Sequence, residues 1–314
     1  MFEDIDKVTS VFEFDDPTVY AIPLFLVMIG IELAIDFKKS LKLYHGKDAF
    51  ASIGMGLGSL VIGLGMKTLA FIVFNWIYHN YGIWKDMNQH WWVWILLLFA
   101  DDFTFYWHHR LSHSMRILWA AHVNHHSSIH MNFSTALRQS WVEVLYKYVW
   151  WLWLPLVGFH PVFIMTMMAF SLIYQFLQHT ELVGKLGPLE WVLNTPSHHR
   201  VHHATQVKYL DRNHAGILII WDRIFGTFQE EKNEDLPVYG ITNNISTYNL
   251  FKIASHEYIS LWRDVKRAPT FKDKFNYLFQ PPGWSHDGEL KTSNHLRRLE
   301  KSALEKDHLN IKTN

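Results

Sequence analysis

Five apolar stretches, each about long enough to cross a bilayer as a helix, constrain this chain more than any other feature. They run from Val19 to about Phe37, Ala51 to Tyr78, Trp91 to Trp107, about Trp141 to Val157, and Pro161 to Gln178. A hydrocarbon core takes roughly 17–25 helical residues. The second stretch is Gly-rich and long enough to tilt. The last two flank Gly158-Phe159-His160-Pro161, a Gly/Pro break that reads as a tight hairpin turn. The alternative is a soluble helical protein with hydrophobic core helices. Against it, Trp91–Ala100 and Tyr148–Val157 are apolar on all sides and carry no amphipathic stripe. Charged residues are only 18%, below the roughly 25% of an ordinary soluble domain. The mean hydropathy of −0.03 averages an apolar body to about residue 180 and a polar remainder.

Charge then sets orientation. The loop Lys38-Lys39-Ser40-Leu41-Lys42, with Lys47, is basic, whereas Met1–Asp16 is acidic. Positive-inside bias places that loop in the cytoplasm and the N-terminus outside. Alternating five spans from there puts residues 108–140 and everything after 179 on the cytoplasmic side. The acidic first residues are not the basic n-region of a cleavable signal peptide. Gly216 to Trp221 reads as a short buried or interfacial helix, and 286–314 as a solvated polar tail.

Lys+Arg and Asp+Glu are 29 each, so no electrostatic field for nucleic acid is expected. The absence of cysteine excludes disulfides, iron–sulfur clusters, Cys-ligated zinc and thiol catalysis. What remains for chemistry is histidine, 21 of them.

Three clusters stand out: His109 and His113 in an HxxxH, His122, His125 and His126 in an HxxHH, and His199, His202 and His203 in a second HxxHH. Residues three and four apart share a helix face, so each cluster is expected to aim its imidazoles one way. Eight nitrogen donors exceed the four or fewer of a zinc site and suit two metals in one pocket. Imidazole alone does not choose among Zn, Cu, Fe and Ni. Clusters lying where apolar spans meet the cytoplasm point to lipid oxidation and hence to iron, because zinc is redox-inert. His179 ends the fifth span on the same side and is taken as a ninth ligand. His198 and His202 also form an i,i+4 pair, so the third cluster has two registers; His199 is chosen because it repeats the HxxHH form. His108 and His198 are neighbours of the clusters, His130 is left out, and His214 is an outside candidate. His79, His90 and His160 fall on the opposite side. Asp102, Tyr106, His109 and His113 share one stripe, making Asp102 and Tyr106 the expected partners that orient the ligands. Glu32 and Asp36 are expected near the cytoplasmic end of the first span or paired with the following lysines, and Asp222 with Arg223 as an ion pair. Trp141, Trp150, Trp151 and Trp153 either line an approach from the bilayer or form an interfacial belt.

There is no dinucleotide fingerprint. Gly54-Met55-Gly56-Leu57-Gly58 lies inside a span and reads as close helix packing. Electrons must then come from a separate reductase, a cytochrome-type carrier or a diffusible pterin. A membrane zinc hydrolase would want a general-base carboxylate as in HExxH, and none occurs. A metal transporter would want ligands at mid-bilayer depth, whereas these clusters lie outside the apolar stretches.

The three histidine motifs resemble those of the fatty acid hydroxylase and sterol desaturase superfamily of membrane di-iron enzymes. Within it the chain is most similar to the alkylglycerol monooxygenase branch. That likeness rests on Trp119-Ala120-Ala121-His122, Asn132 to Ser140, Asn194 to His203, Leu218 to Phe228 and Gln280 to Trp284. The resemblance implies two irons bound by the eight motif histidines and O2-dependent hydroxylation of a lipid. In that branch it implies cleavage of an ether lipid with tetrahydrobiopterin. Two positions depart from the pattern: Ser114, where relatives often carry an acid, and His214, where Tyr is expected. The expected architecture is all-α: a polytopic membrane helical bundle of about four to five spans with a cytoplasmic, helical, histidine-rich di-metal domain. Its parts are an N-terminal segment 1–17, spans 1–3 over 18–107, a di-iron domain 108–285 that includes the membrane hairpin 141–178, and the tail 286–314.

Overall fold

A computed structural model describes residues 17–313 of the protein. The acidic segment 1–16, on which the outside placement of the N-terminus rests, lies outside the described residues. The chain is 65% helical with no strand among the described residues. Two long helices lead: α1 (Pro17–Lys39) and α2 (Gly46–Tyr81). Then come α3 (Val93–Ser114), α4 (Arg116–His126), α5 (Phe133–Ala136), α6 (Glu143–Tyr146), α7 (Trp153–Val157) and α8 (Pro161–Leu177). The polar part holds α9 (Pro196–His202), α10 (Ile220–Ile224), α11 (Leu250–Arg267), α12 (Phe271–Phe279) and α13 (Ser293–Thr313).

Among the described residues only α1 and α2 are, by length and composition alone, helices able to cross a membrane. Both turn large apolar side chains outward, among them Phe37 (90% exposed), Leu26 and Val61. A soluble core helix would bury them. At 1.5 Å per residue the 36 residues of α2 span roughly 54 Å, more than the ~30 Å of a hydrocarbon core, so α2 must tilt or protrude. The fourth expected span does not form as one helix. Residues 143–157 break into α6, a 3-10 turn (Lys147–Trp151) and α7. Glu143 and Lys147 interrupt the apolar run, and Pro155 supplies no backbone N–H to α7. The hairpin of two spans is therefore corrected to one 17-residue helix, α8, preceded by a folded-back segment. The tail is likewise more than a solvated end: α13 docks through Arg297, which donates to the Leu210 carbonyl at 2.8 Å.

The largest apolar core joins the second half of α2, the start of α3, residues 151–154 and the first turns of α8, with Phe74, Leu97, Leu154 and Ile164 fully buried. Twelve residues further along α3, roughly 18 Å, the interior changes from apolar to polar. There the glycines of α2 permit close approach. A Cβ on Gly56 would lie 2.6 Å from the Leu137 carbonyl oxygen, and one on Gly54 would lie 2.9 Å from Leu250 Cδ1. The expected close packing is present, but the partners are a loop and α11, not another span.

Buried charges tie the facing ends of α1 and α2 to this polar half. Glu32 accepts from Phe133 N at 2.8 Å, Tyr44 Oη at 2.5 Å and Thr180 Oγ1 at 2.5 Å, and Asp36 accepts from the backbone N–H of Leu43 and Tyr44. Both lie in the last turns of α1, one of the two expected placements, and their partners are these groups rather than the lysines. Arg138, 1% exposed, reaches Asp48 at 3.1 Å and donates to Ser127 Oγ and the Asn124 carbonyl.

Candidate metal centre

The site is assembled by α3, α4 and α9 with the end of α8. Met115, extended at φ −125, ψ 121, ends α3 and starts α4, so His109 and His113 face back onto His122 and His126. Pro196 at the first position of α9 suits helix initiation. All nine expected histidines are buried, and they fall into two groups. His109, His113, His122, His126 and His202 form one; His125, His179, His199 and His203 form the other, with donor atoms in each group within 4.8 Å of one another. His126 and His203 stack at 4.3 Å where the groups touch.

Each HxxHH divides between the two groups, correcting the expectation of a single direction. Positions i and i+4 serve one group and i+3 the other, because at 100° per residue i+3 and i+4 diverge by 100° around the helix. The division is reciprocal. α4 gives His122 and His126 to the first group and His125 to the second, whereas α9 and its C-cap give His199 and His203 to the second and His202 to the first.

The hydrogen-bond pattern tests whether a cation fits. The Nδ1 atoms of His109, His202 and His179 donate to the carbonyl oxygens of His214, Arg212 and Gln175, all at 2.8 Å. Those of His113 and His122 face the carboxylates of Asp211 (3.2 Å) and Glu143 (3.3 Å). Carbonyls and carboxylates only accept, so each of these rings, when neutral, carries its proton on Nδ1 and leaves Nε2 bare. Yet the bare Nε2 of His109 lies 3.0 Å from the bare Nε2 of His122, and the bare Nε2 of His179 lies 2.9 Å from Nε2 of His199, whose Nδ1 has no partner. Bare lone pairs converging in a buried pocket are unfavourable unless a cation sits between them. The Nε2 atoms of His113 and His202 have no partner at all. Two nitrogens at right angles around a metal, each about 2.1 Å away, would be about 3.0 Å apart, so the spacing fits imidazole coordination.

Burial, reinforced by neighbouring imidazoles, holds His109, His125, His126, His199, His202 and His203 well below the usual histidine range. Burial brings His113 to about 3 and His179 to about 4. These eight rings are thus neutral donors at physiological pH. In the metal-free protein the folded values lie below the unfolded ~6.5, so the unfolded chain binds more protons on acidification. Stability is fully present above about pH 6.5 and is lost as pH falls toward 4 and 3. The thermal midpoint of metal-free protein is therefore expected to drop steeply between pH 7.5 and 5.

Asp102 and Tyr106 do not orient the ligands directly. Asp102 accepts from the N–H groups of Ile217 (2.7 Å) and Leu218 (2.8 Å) and from Trp221 Nε1 (3.1 Å), fixing the loop that follows His214. Tyr106 Oη pairs with Thr227 Oγ1. Asp222 accepts from His214 N, Ala215 N and Thr227 Oγ1, while Arg223 donates to the Glu190 carbonyl, so the expected Asp222–Arg223 pair does not form. The orienting groups missed by local spacing are Glu143 and the strap 211–214, which presents Asp211, Arg212 O and His214 O to three ligands. Asp211 (φ 52) and Asn213 (φ 54) bend that strap in a left-handed conformation that Asp and Asn tolerate best. Their only sequence signal was the turn-forming Asp211-Arg212-Asn213. Asp211→Ala is expected to weaken metal affinity about 10–100-fold with the fold retained, as loss of such a partner does elsewhere; chelator competition measures it.

The other histidines named above belong to neither group. His198 faces Glu190 at 3.9 Å, leaving His199 in the cluster. His108 faces Glu143 at 3.7 Å, and His130 stacks on His45. His160 contacts Tyr78; His79 and His90 are in neither group. His214 is buried 5.1 Å, ring to ring, from His113, and neither ring nitrogen has a hydrogen-bond partner. Trp141, Trp151 and Trp153 donate to Met55 O, Asp101 and Thr104, and Trp150 lies 5.7 Å from the His108 ring.

Residues 94–227, which contain every one of these ligand candidates, match the fatty acid hydroxylase family model. The chain is 40% identical over 279 residues to the alkylglycerol monooxygenase of Homo sapiens, covering 87% of this chain and 61% of that protein. It is 37% identical over 269 residues to the alkylglycerol monooxygenase of Danio rerio, covering 84% and 59%. Ornithine lipid hydroxylase OlsE of Rhizobium tropici is 27% identical over 225 residues, 70% and 64%. The chain thus spans about three fifths of the length of the alkylglycerol monooxygenases it matches. No solved structure matches it.

Proposed function

We propose that the chain, whose residues 94–227 match the fatty acid hydroxylase family model, is an integral-membrane di-iron oxygenase acting on a lipid. The observation that carries this reading is the pair of touching groups of buried imidazoles, with the bare Nε2 atoms of His109 and His122 converging in one of them. His109, His113, His122, His126 and His202 hold one iron, and His125, His179, His199 and His203 the other. The iron pair, when bound, supplies O2-dependent oxidation of an unactivated lipid carbon, which redox-inert zinc does not.

The chain's own residues do the rest. The Nδ1 partners of His109, His113, His122, His179 and His202 keep those Nε2 atoms bare and fix ring orientation. Burial keeps bulk water from the pocket and favours an apolar substrate. Converting C–H to C–OH with O2 consumes two electrons and two protons and releases one water. The electrons come from a separate donor, tetrahydrobiopterin or a cytochrome-type reductase system. Relatives named alkylglycerol monooxygenase and ornithine lipid hydroxylase make glycerol ether lipids and other polar lipids the first substrates to try.

The active site belongs on the cytoplasmic side. Asn132, beside the site, donates to the Leu43 carbonyl, and Glu32 bonds Thr180, the neighbour of His179. The basic loop 38–47 and the histidines therefore share one end of α1 and α2, and positive-inside bias assigns that end to the cytoplasm.

The test is turnover under 18O2 with purified, iron-loaded protein in lipid and a reductant. The proposal requires one labelled oxygen in the product. Turnover without O2, with label taken from water and zinc in the protein, would establish the hydrolase instead; bound metal that exchanges across vesicles without turnover would establish the transporter.

A further inference from the structure

The two helices that back the histidine domain carry a surface that catalysis does not use. α11 buries Ile253 and Leu261, and α12 buries Tyr277, against Ala120 and Ile117 of α4 and against α2. Their opposite faces expose Phe251 (74%), Ile259, Trp262 (60%), Phe271 (84%), Phe275 and Phe279. Phe271, Phe275 and Phe279 recur at i, i+4 and i+8, one continuous aromatic stripe.

The charges are sorted as well. The two helices hold six Lys/Arg and three acids. Glu257 and Asp264 turn inward to the half-buried-to-buried Arg116, each at 2.7 Å, and Asp273 accepts from Thr270 Oγ1 at the start of α12. Among the described residues no ion pair uses Lys252, Arg263, Lys266, Arg267, Lys272 or Lys274. Lys266 lies over the Trp262 ring at 5.2 Å. A groove of ≈ 480 Å³ beside this face is lined by Ile245, Lys252, Ile259 and Arg263 among others.

Position decides the partner. α11 starts against α2, where Leu250 fills the space at Gly54, and Phe251 meets Trp141 edge-on at 5.6 Å. Phe50, 76% exposed, is one turn before Gly54 on the same stripe of α2. The exposed aromatic face of α11 thus continues the outward apolar surface of a helix read as crossing the bilayer. An aromatic face flanked by unpaired lysines and arginines matches a helix lying in the headgroup layer, with rings among the acyl chains and cations at anionic phosphates.

We infer that α11 and α12 form a monotopic docking surface that seats the histidine domain on the anionic lipid interface of the membrane its own helices enter. This rests on the membrane placement of α1 and α2 but not on iron or turnover. Burial of this face in lipid holds the metal pocket against the membrane surface, from which an acyl substrate must come.

The absence of cysteine makes the test direct, because a single introduced thiol is the only labelling site. Full-length Phe275→Cys and Phe271→Cys, and Ser302→Cys on the polar α13 as reference, are spin-labelled in vesicles of phosphatidylcholine with and without phosphatidylglycerol. Labels at 275 and 271 should collide preferentially with O2 over a nickel chelate, the label at 302 the reverse. Adding Lys272→Glu and Lys274→Glu should make position 275 shallower in phosphatidylglycerol vesicles and change it little without the anionic lipid. Chelate access at 271 and 275 equal to that at 302 overturns the inference. Protection in native membranes but not in protein-free lipid overturns it in favour of a protein partner. Both readouts are independent of catalysis, so a failed oxygenase assay leaves this test standing.

Discussion

His199→Ala is expected to lower bound iron from about two to about one per chain and to reduce O2-dependent lipid oxidation at least about a thousandfold. A catalytic metal is worth several kcal/mol of barrier, at about 1.4 kcal/mol per factor of ten. His199 meets both His179 (2.9 Å) and His203 (3.2 Å), so its loss leaves three imidazoles in the smaller group. His198→Ala, one residue away, should keep both metals, because that ring faces Glu190 and Phe228. Metal content and labelled-oxygen turnover on the two variants, side by side, measure this. Equal loss in both would mean that the third cluster is wrongly registered.

Arg138→Met is expected to destabilise the folded protein by about 3–5 kcal/mol, the usual cost of leaving a buried partner charge uncompensated. Its guanidinium answers Asp48 of α2 and, through Asn124 O and Ser127 Oγ, closes the end of the helix that carries His122, His125 and His126. Methionine fills much of the volume, so the loss isolates charge and hydrogen bonding from packing. Adding Asp48→Asn should recover part of the stability. Unfolding followed in detergent micelles checks both variants, and a single variant within about 1 kcal/mol of the parent would contradict the role given to this residue.

The nine histidines that the structure gathers into two groups were legible because helical periodicity is local. An HxxHH must present i and i+4 together wherever the helix goes, and His179 was marked by closing an apolar run at the right end. What escaped was everything long-range. The stripe through Asp102 and His109 is real, but the loop 217–221 intercepts the carboxylate before it reaches an imidazole. The groups that do hold the rings, Glu143, Asp211 and the carbonyls of Arg212, His214 and Gln175, come from other helices and a strap, and no spacing within one segment foretells them. The partition of each HxxHH between two groups also needed a second helix to define what lay on either side.

The membrane part divides the same way. α1, α2 and α8 follow from sustained apolar runs. Residues 141–157 do not, because a hydropathy window averages over Glu143, Lys147 and Pro155. The glycines of α2 were readable as a close-approach surface, but the neighbours they admit, Leu137, Trp141 and Leu250, are set by tertiary packing.

Two adjacent metals within nine imidazoles are tested most directly by anomalous diffraction at the iron edge on crystals of the iron-loaded protein. The expected map has two peaks, one bounded by His109, His113, His122, His126 and His202, the other by His125, His179, His199 and His203. A single peak, or iron bound away from these rings, would contradict it.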